Sequence, residues 1–451
     1  MLMIVEELIL LIVLYSIFMV ASLCDVAIYV KKSHRISIMT LCKLMYIVGF
    51  AVIPIITYAV YLNGYRASTL LYDGYMWTHF IIFICTVVAY CTMKFGYKIK
   101  QRKPKKKSNQ DYVKMIMLMT LLLIISVISL SFWASGFGGI NELITNANSI
   151  RAGFIKSSSN KAFFKHFVPM SMIVSFIAFN YLFIDKNYKR KISTIYVFFT
   201  FIVSIFISII FILANDGRML AGVYIILFCL LLIKNEYEVK NKNLKSISFK
   251  ILILSILAII IIINADSIFG VIKGNTVVTS TSVEERNIFS SLAYEFSFTL
   301  TGIQQAIITY VNGTSKLTII NDVINGVFAW LPTSFKPFIC VDVWDYNTAL
   351  MNTGVYGQSP TSILAQSIYD LGFLGVLLIP CIYGFVIRKI ENKLESYGSN
   401  IFYNTIYIVL GFYLAKGIVY FSMYNIMMNI FFIVAACIIY KVLHKIGMKS
   451  V

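Results

Sequence analysis

Apolar runs of roughly twenty residues recur from one end of this chain to the other, and their length constrains the fold more than any other feature. A bilayer core is crossed by about 20 consecutive apolar residues in a helix. No water reaches backbone groups there, so a crossing segment must close its hydrogen bonds internally, as a helix does. We place such runs at 4–23, 36–62, 77–97, 115–133, 168–184, 192–213, 219–233, 251–269, 363–387, 401–421 and 425–440. Composition agrees, with 59% of residues apolar and 13% charged, against about 25% charged in soluble domains. The expectation is an all-α polytopic membrane protein of about 11 transmembrane helices. Glu6 and Glu7 stand where a cleaved leader carries basic residues, and no small-residue cleavage site follows, so the first run reads as a retained span.

The net charge of +19 is unevenly placed. Lys31, Lys32 and Arg35, the run KIKQRKPKKK at 98–107, the segments 186–191 and 234–250, Arg388, Lys389 and Lys393, and the C-terminal tail fall on alternate loops. Cytoplasmic loops carry the excess of Lys and Arg, which predicts an outside N-terminus and a cytoplasmic C-terminus. The run at 98–107 reads as a topology anchor. No aromatic residues interleave with its charges, so nucleic acid is not an expected partner. The eight cysteines lie mostly inside apolar runs without a CxxC pair and read as small packing residues. The four histidines do not cluster, and no metal site is expected.

On this topology the outer face holds 63–76, 134–167 and a long loop, 270–362, between an N-terminal bundle (1–269) and a C-terminal bundle (363–451). Ser282-Val283-Glu284-Glu285 fits a capping box. It predicts a helix over 283–311, with Phe289, Phe296, Leu300 and Ile303 mainly on one face, apolar enough to lie on the membrane surface or dip into it. Pro332, Pro337, Gly354, Gly357 and Pro360 predict ordered turns over the remainder. Trp330 and Trp344 suit an interface or a sugar-stacking surface, interface anchoring being the commoner role. Arg66, Arg151, Arg218 and Arg286 also fall outside, and arginine suits planar phosphate recognition. Arg218 starts a span from a tight turn beside Asp216, so it must face a polar cavity or snorkel. Lys43 and Lys94 sit near cytoplasmic span ends and are expected to snorkel. Asp370 and Lys416, in the outer halves of their spans, are candidates to line a cavity.

Three places in the chain carry a family resemblance. Gly138-Gly139-Ile140 is followed by Arg151. Asn215-Asp216-Gly217-Arg218 enters the seventh run. The segment from Gly357 through Pro360 to Leu364 is followed by Tyr369-Asp370-Leu371-Gly372-Phe373-Leu374-Gly375. In this order, and with these loop sizes, the chain resembles the polysaccharide repeat-unit polymerases, known as O-antigen or capsule polymerases. Topology extends the likeness over most of the chain, although its motifs are short, and the arginine-to-glycine repeat of some members is absent after Arg151, Arg218 and Arg286.

The resemblance implies a GT-C-like fold with one large extracytoplasmic loop, in the bacterial plasma membrane. It implies a glycosyltransferase that joins oligosaccharide units carried on undecaprenyl pyrophosphate, without metal or cofactor. Arg151, Arg218 and Arg286 would stabilise charge developing on the leaving pyrophosphate. Glu295 and Asp216 are the candidate bases for the acceptor hydroxyl. Tyr294, Trp330, Trp344, Tyr356, Asp370 and Lys416 are the candidate substrate-binding residues. Implied partners are the lipid-linked oligosaccharides, membrane lipids, a flippase and a chain-length regulator. Two alternatives stay open. A flippase or transporter of the same lipid-linked units needs related halves and polar residues at mid-membrane, and no internal repeat is seen. An O-antigen ligase would use a different acceptor.

Overall fold

The computed structural model describes residues 2–63, 76–102, 104, 112–151, 154–155, 157, 160–184, 193–215, 218–239, 289, 293, 296–331, 335, 341–351, 358–398 and 400–446. Among these residues every regular element is helical. In chain order they are α1 (Leu2–Ser33), α2 (Ile38–Ile47), a π turn (Val48–Val52) leading into α3 (Ile53–Leu62), α4 (Met76–Lys98), α5 (Tyr112–Ser135), α6 (Ile140–Thr145), α7 (Ala147–Arg151), a 3-10 turn (Asn160–His166), α8 (Met170–Phe179), α9 (Thr194–Ala214) and α10 (Arg218–Lys234). There follow α11 (Phe298–Val311), α12 (Ile319–Val327), α13 (Val343–Met351), α14 (Ile363–Leu371), α15 (Phe373–Glu395), α16 (Ile401–Val419) and α17 (Met423–Ile446).

Among the described residues, ten helical stretches are long and apolar enough to cross a membrane. They match ten of the runs read from the sequence; the run at 251–269 lies outside the described residues. Helix α9 shows why a bilayer suits them. It turns Ile195, Phe198, Phe199, Ile202, Phe206 and Ile209 outward and buries Thr200, Ser204 and Ser208. Water penalises a stripe of that kind. Lipid reverses the preference, because small and polar side chains then serve as the helix–helix contacts.

Several expectations are corrected. The run at 363–387 is not one helix. Gly372, at φ +63°, ends α14, and the apolar span proper is Phe373–Glu395. A side chain there would also strike the Tyr310 ring, 2.3 Å from an added Cβ, so glycine is required twice over. Asp370 therefore precedes a span and does not sit inside one. Of the helix expected over 283–311, the described residues Phe289, Ala293 and Phe296 are helical and α11 continues from Phe298, but α11 does not lie on a surface: Leu300, Ile303, Gln304, Ala306 and Ile307 are buried. Its capping box lies outside the described residues. The remainder of the long loop is also more helical than its turn signals predict, forming α12 and α13.

The chain divides into two compact units. One comprises 105–281, 394–410 and 430–451. Its helices are joined by small polar contacts. Ser171 lies 2.9 Å from the Ser208 hydroxyl, Tyr224 donates to Ser175 at 2.7 Å, and Asn180 Nδ2 donates to Thr405 at 2.9 Å.

The other unit comprises 1–104, 282–393 and 411–429. At one end of it, which carries Lys31, Ile38 and Lys98, ions order the helix ends. Lys43 and Lys94 do not snorkel freely: both bind Asp25 of α1 at 2.7 Å, and Lys43 is buried. Glu391 of α15 is fully buried and accepts from the Tyr97 hydroxyl and from the Ile38 N–H at 3.1 Å. That second bond satisfies one of the orphan donors opening α2 and sets a negative charge on a helix N-terminus. Helices α4 and α15 touch through glycines. A Cβ on Gly96 would lie 1.9 Å from Cys381 O, and one on Gly384 would lie 2.1 Å from Met93 O. Close backbone approach of this type is how helices associate in lipid.

The π turn has a local cause. It moves the Ile53 N–H onto Val48 O. The next donor in that register is Pro54, which has none. The carbonyl of Gly49 instead accepts from the Thr299 hydroxyl at 3.3 Å. The start of α11 is thereby fastened to the middle of the α2–α3 span.

Candidate functional site

Away from the basic end, the second unit gathers its polar side chains around the turn between α16 and α17, residues 420–422. The turn exposes backbone groups that no helix satisfies, and the segment 318–370 satisfies them. Phe421 O accepts from Trp344 Nε1 at 2.9 Å and from the Thr361 hydroxyl at 2.6 Å. Phe421 N–H donates to Thr361 O at 2.7 Å. The Met423 N–H donates to Asp322 Oδ1 at 3.1 Å. Four residues further on, Trp330 Nε1 donates to Met427 O at 2.9 Å. Both tryptophans named as candidates from the sequence thus spend their indole N–H on this helical hairpin, leaving only ring faces for contact with a ligand.

Asp370, buried on α14, anchors a second layer. Its Oδ1 accepts from the Thr318 hydroxyl at 2.7 Å, and the Gln366 amide donates to its carboxylate at 3.1 Å. Gln366 Oε1 in turn lies 3.1 Å from the Thr361 hydroxyl. Ser362 caps α14 by accepting from Ala365 N–H, which sets the helix register that brings Gln366 and Asp370 together one turn apart. Burial pushes the Asp370 carboxyl up to about 6, against the pull of the Thr318 and Gln366 hydrogen bonds. Burial also pushes Asp322 up to about 8, helped by the charge of Asp370 and opposed by the Met423 N–H. Of the two, Asp370 ionises first, and its charge then holds the proton on Asp322. Asp342 completes the acidic side, accepting from Trp344 N–H at 3.0 Å.

Lys416, four residues before the turn on α16, is the contrasting case. Its side chain is half-buried. Its Nζ lies 5.5 Å from the centre of the Tyr420 ring. Phe298 and Trp344 flank that ring at centroid distances of 4.9 and 6.5 Å. No carboxylate or hydrogen-bond acceptor engages the ammonium among the described residues. A cation–π contact returns about 1–2 kcal/mol, somewhat more when desolvated. Withdrawing an ammonium from water costs several kcal/mol. The site is electrostatically incomplete at Lys416 and complete at Asp370.

Behind this cluster, Gln304 of α11 donates to Thr78 Oγ1 at 3.0 Å and faces His79 Nε2 at 3.3 Å. That makes Nε2 the acceptor and leaves the His79 proton on Nδ1, which lies 3.0 Å from the Tyr58 hydroxyl. Each of these side chains lies in a segment that the sequence marks as helical, but none of them stands out there as a site residue. Asp322 and Gln366 were also missed. The one signal that marks them is their polarity within otherwise apolar helical segments.

The remaining candidates are placed less fully. Arg151 closes α7 and Arg218 opens α10, while nothing is described of either side chain. Arg286, Glu295, Asp216, Tyr294 and Tyr356 lie outside the described residues. Among the described residues no cluster of His, Cys, Asp or Glu has a metal-holding arrangement.

Comparison of the chain with known protein families, with curated proteins and with solved structures gives no match. The arrangement therefore defines a class by its own features: a helical protein with ten candidate membrane spans among the described residues, in which helices of the segment 318–370 bond to the tip of one helical hairpin.

Proposed function

We propose that this protein polymerises undecaprenyl-pyrophosphate-linked oligosaccharide repeat units into a surface polysaccharide at the outer face of a bacterial plasma membrane. On this reading eleven spans leave the N-terminus outside and the C-terminus cytoplasmic, and the loop 270–362 is extracytoplasmic. The acceptor hydroxyl at the nonreducing end of the incoming unit attacks the anomeric carbon of the growing chain. The bond from that carbon to the pyrophosphate oxygen breaks, the hydroxyl proton passes to a carboxylate base, and lipid pyrophosphate leaves. Arg151, Arg218 and Arg286 stabilise the charge on the leaving oxygens, and Asp216 or Glu295 takes the proton.

The observation that supports this reading best is where the polar side chains of the large unit meet. They gather about the α16–α17 turn, under helices of the long loop, with an incompletely neutralised cation and ring faces among them. A reaction between two amphipathic substrates needs that combination: an apolar wall for the lipid, a cation for phosphate, and rings for sugar. Deletion of the gene followed by analysis of surface glycan tests it. Single repeat units at the surface with loss of long chains supports polymerisation. Loss of all exported units points to a flippase, and long chains left unattached to their final acceptor point to a ligase. Replacing Arg151, Arg218 or Arg286 by alanine is expected to shorten the chains; a normal length distribution in a stably expressed variant removes that arginine from the mechanism.

A further inference from the structure

We propose that the ammonium of Lys416 is a binding point for the phosphate of a polyprenyl diphosphate, with the Phe298–Tyr420–Trp344 rings as the wall beside it. The inference rests on the polymerase reading for the identity of the lipid, but its geometry is independent of that reading. Lys416 lies in a helix long and apolar enough to cross a membrane. A cation in such a helix is matched by a partner charge or by an acceptor. Asp25 does this for Lys43 and Lys94 in the same unit, so the fold does supply counterions where it needs them. Lys416 receives only a ring face. The carboxylates of the polar cluster about the turn it precedes are engaged elsewhere, Asp322 by Met423 N–H, Asp342 by Trp344 N–H and Asp370 by Thr318 and Gln366. The missing charge is therefore an anion from outside the chain. In a bilayer, an anion that arrives at an apolar helix is the phosphate of a lipid.

The shape of the surroundings favours a prenyl lipid. The three rings present flat hydrocarbon beside the ammonium, and Trp344 is fixed in place by its bond to Phe421 O. Part of the lysine side chain reaches the surface of its unit, so a headgroup has access without the bundle opening.

The test uses the full chain in phosphatidylcholine nanodiscs, with undecaprenyl diphosphate, phosphatidylglycerol and inorganic pyrophosphate as separate probes. Binding is read by native mass spectrometry, and by protection of Lys416 in the unsubstituted protein from an amine-reactive label. The expected result is binding of undecaprenyl diphosphate with protection of Lys416, a loss of at least tenfold in K416M, and retention within a few-fold in K416R. Binding of phosphatidylglycerol or free pyrophosphate equal to that of the prenyl lipid would overturn the assignment of the ligand. Equal binding by K416M and the unsubstituted protein, or equal labelling with and without lipid, would overturn the site. Because these readouts involve no glycan, a failed polymerase reading shows in the deletion strain and not here.

Discussion

Replacing Asp322 by asparagine should stabilise this protein at alkaline pH, an unusual outcome for the loss of a buried, hydrogen-bonded carboxylate. The carboxyl is pushed from 3.8 up to about 8, first by burial and then by the charge of Asp370. Between those values the folded protein holds a proton that the unfolded chain releases. Stability therefore falls as pH climbs from about 4 towards 8, and the loss is complete above the folded value. A displacement of roughly four pH units at about 1.36 kcal/mol each sets a ceiling near 5–6 kcal/mol. Local opening of α12 from the turn would reduce this to a few kcal/mol.

Asparagine keeps the volume and the acceptor oxygen that Met423 N–H requires, and it carries no charge at any pH. At pH 6 the variant should already melt higher, because the unfolded aspartate has released its proton there, and the gap should widen as pH rises to about 8. At pH 9 it should melt several degrees higher. The assay is thermal unfolding of the purified protein in a single detergent across pH 6 to 9, followed by tryptophan fluorescence, since Trp330 and Trp344 both bond to this hairpin. Asp370, pushed up to about 6, titrates mainly below that window, so the slope between 7 and 9 belongs to Asp322. Parallel melting profiles for the two proteins would refute the reasoning.

Three further outcomes follow from the packing. Gly384→Val should abolish a monodisperse folded peak in size-exclusion chromatography, because its Cβ meets Met93 O at 2.1 Å, whereas Gly302→Ala, with nothing nearer than 3.8 Å, should be tolerated and gain up to about 1 kcal/mol from helix propensity. Gln366→Leu removes one donor to the Asp370 carboxylate and the acceptor facing Thr361; about 1–3 kcal/mol per orphaned group should appear as a lowered melting temperature. Asp25→Asn strips the counterion from buried Lys43 and should cost about 3–5 kcal/mol, while Lys94→Gln, whose side chain is 26% exposed, should change melting far less.

The spans were legible because their cause is local. Solvation of a twenty-residue apolar stretch depends on that stretch alone, and ten runs correspond to ten helices. Boundaries set by one backbone conformation were less legible. Gly372 splits α14 from α15 because φ is positive there and because the Tyr310 ring occupies the space of a side chain, and only the first of these leaves a trace in the sequence. The ion pairs were not legible at all. Glu391 meets Tyr97 across 294 positions, and nothing near either residue announces the other. Asp25 was overlooked for the same reason: its two lysines come from separate helices, and each lysine alone reads as a residue reaching for the headgroups.

Polar residues in apolar runs are conspicuous in a sequence because their desolvation cost depends only on where they lie; what offsets the cost is tertiary. Asp370 and Lys416 looked equivalent as cavity candidates. The structure separates them, since Asp370 has neutral donors on two sides and Lys416 has one ring. A buried carboxylate that is fully hydrogen-bonded needs nothing further and acts as part of the scaffold that holds the α16–α17 turn. An ammonium with no acceptor stays charged in an apolar helix only if something else supplies the anion. Of the two, it is Lys416 whose chemistry is completed by a ligand, and the hydrogen bonds that Asp322, Thr361 and Trp344 make to the turn leave that turn already rigid for it.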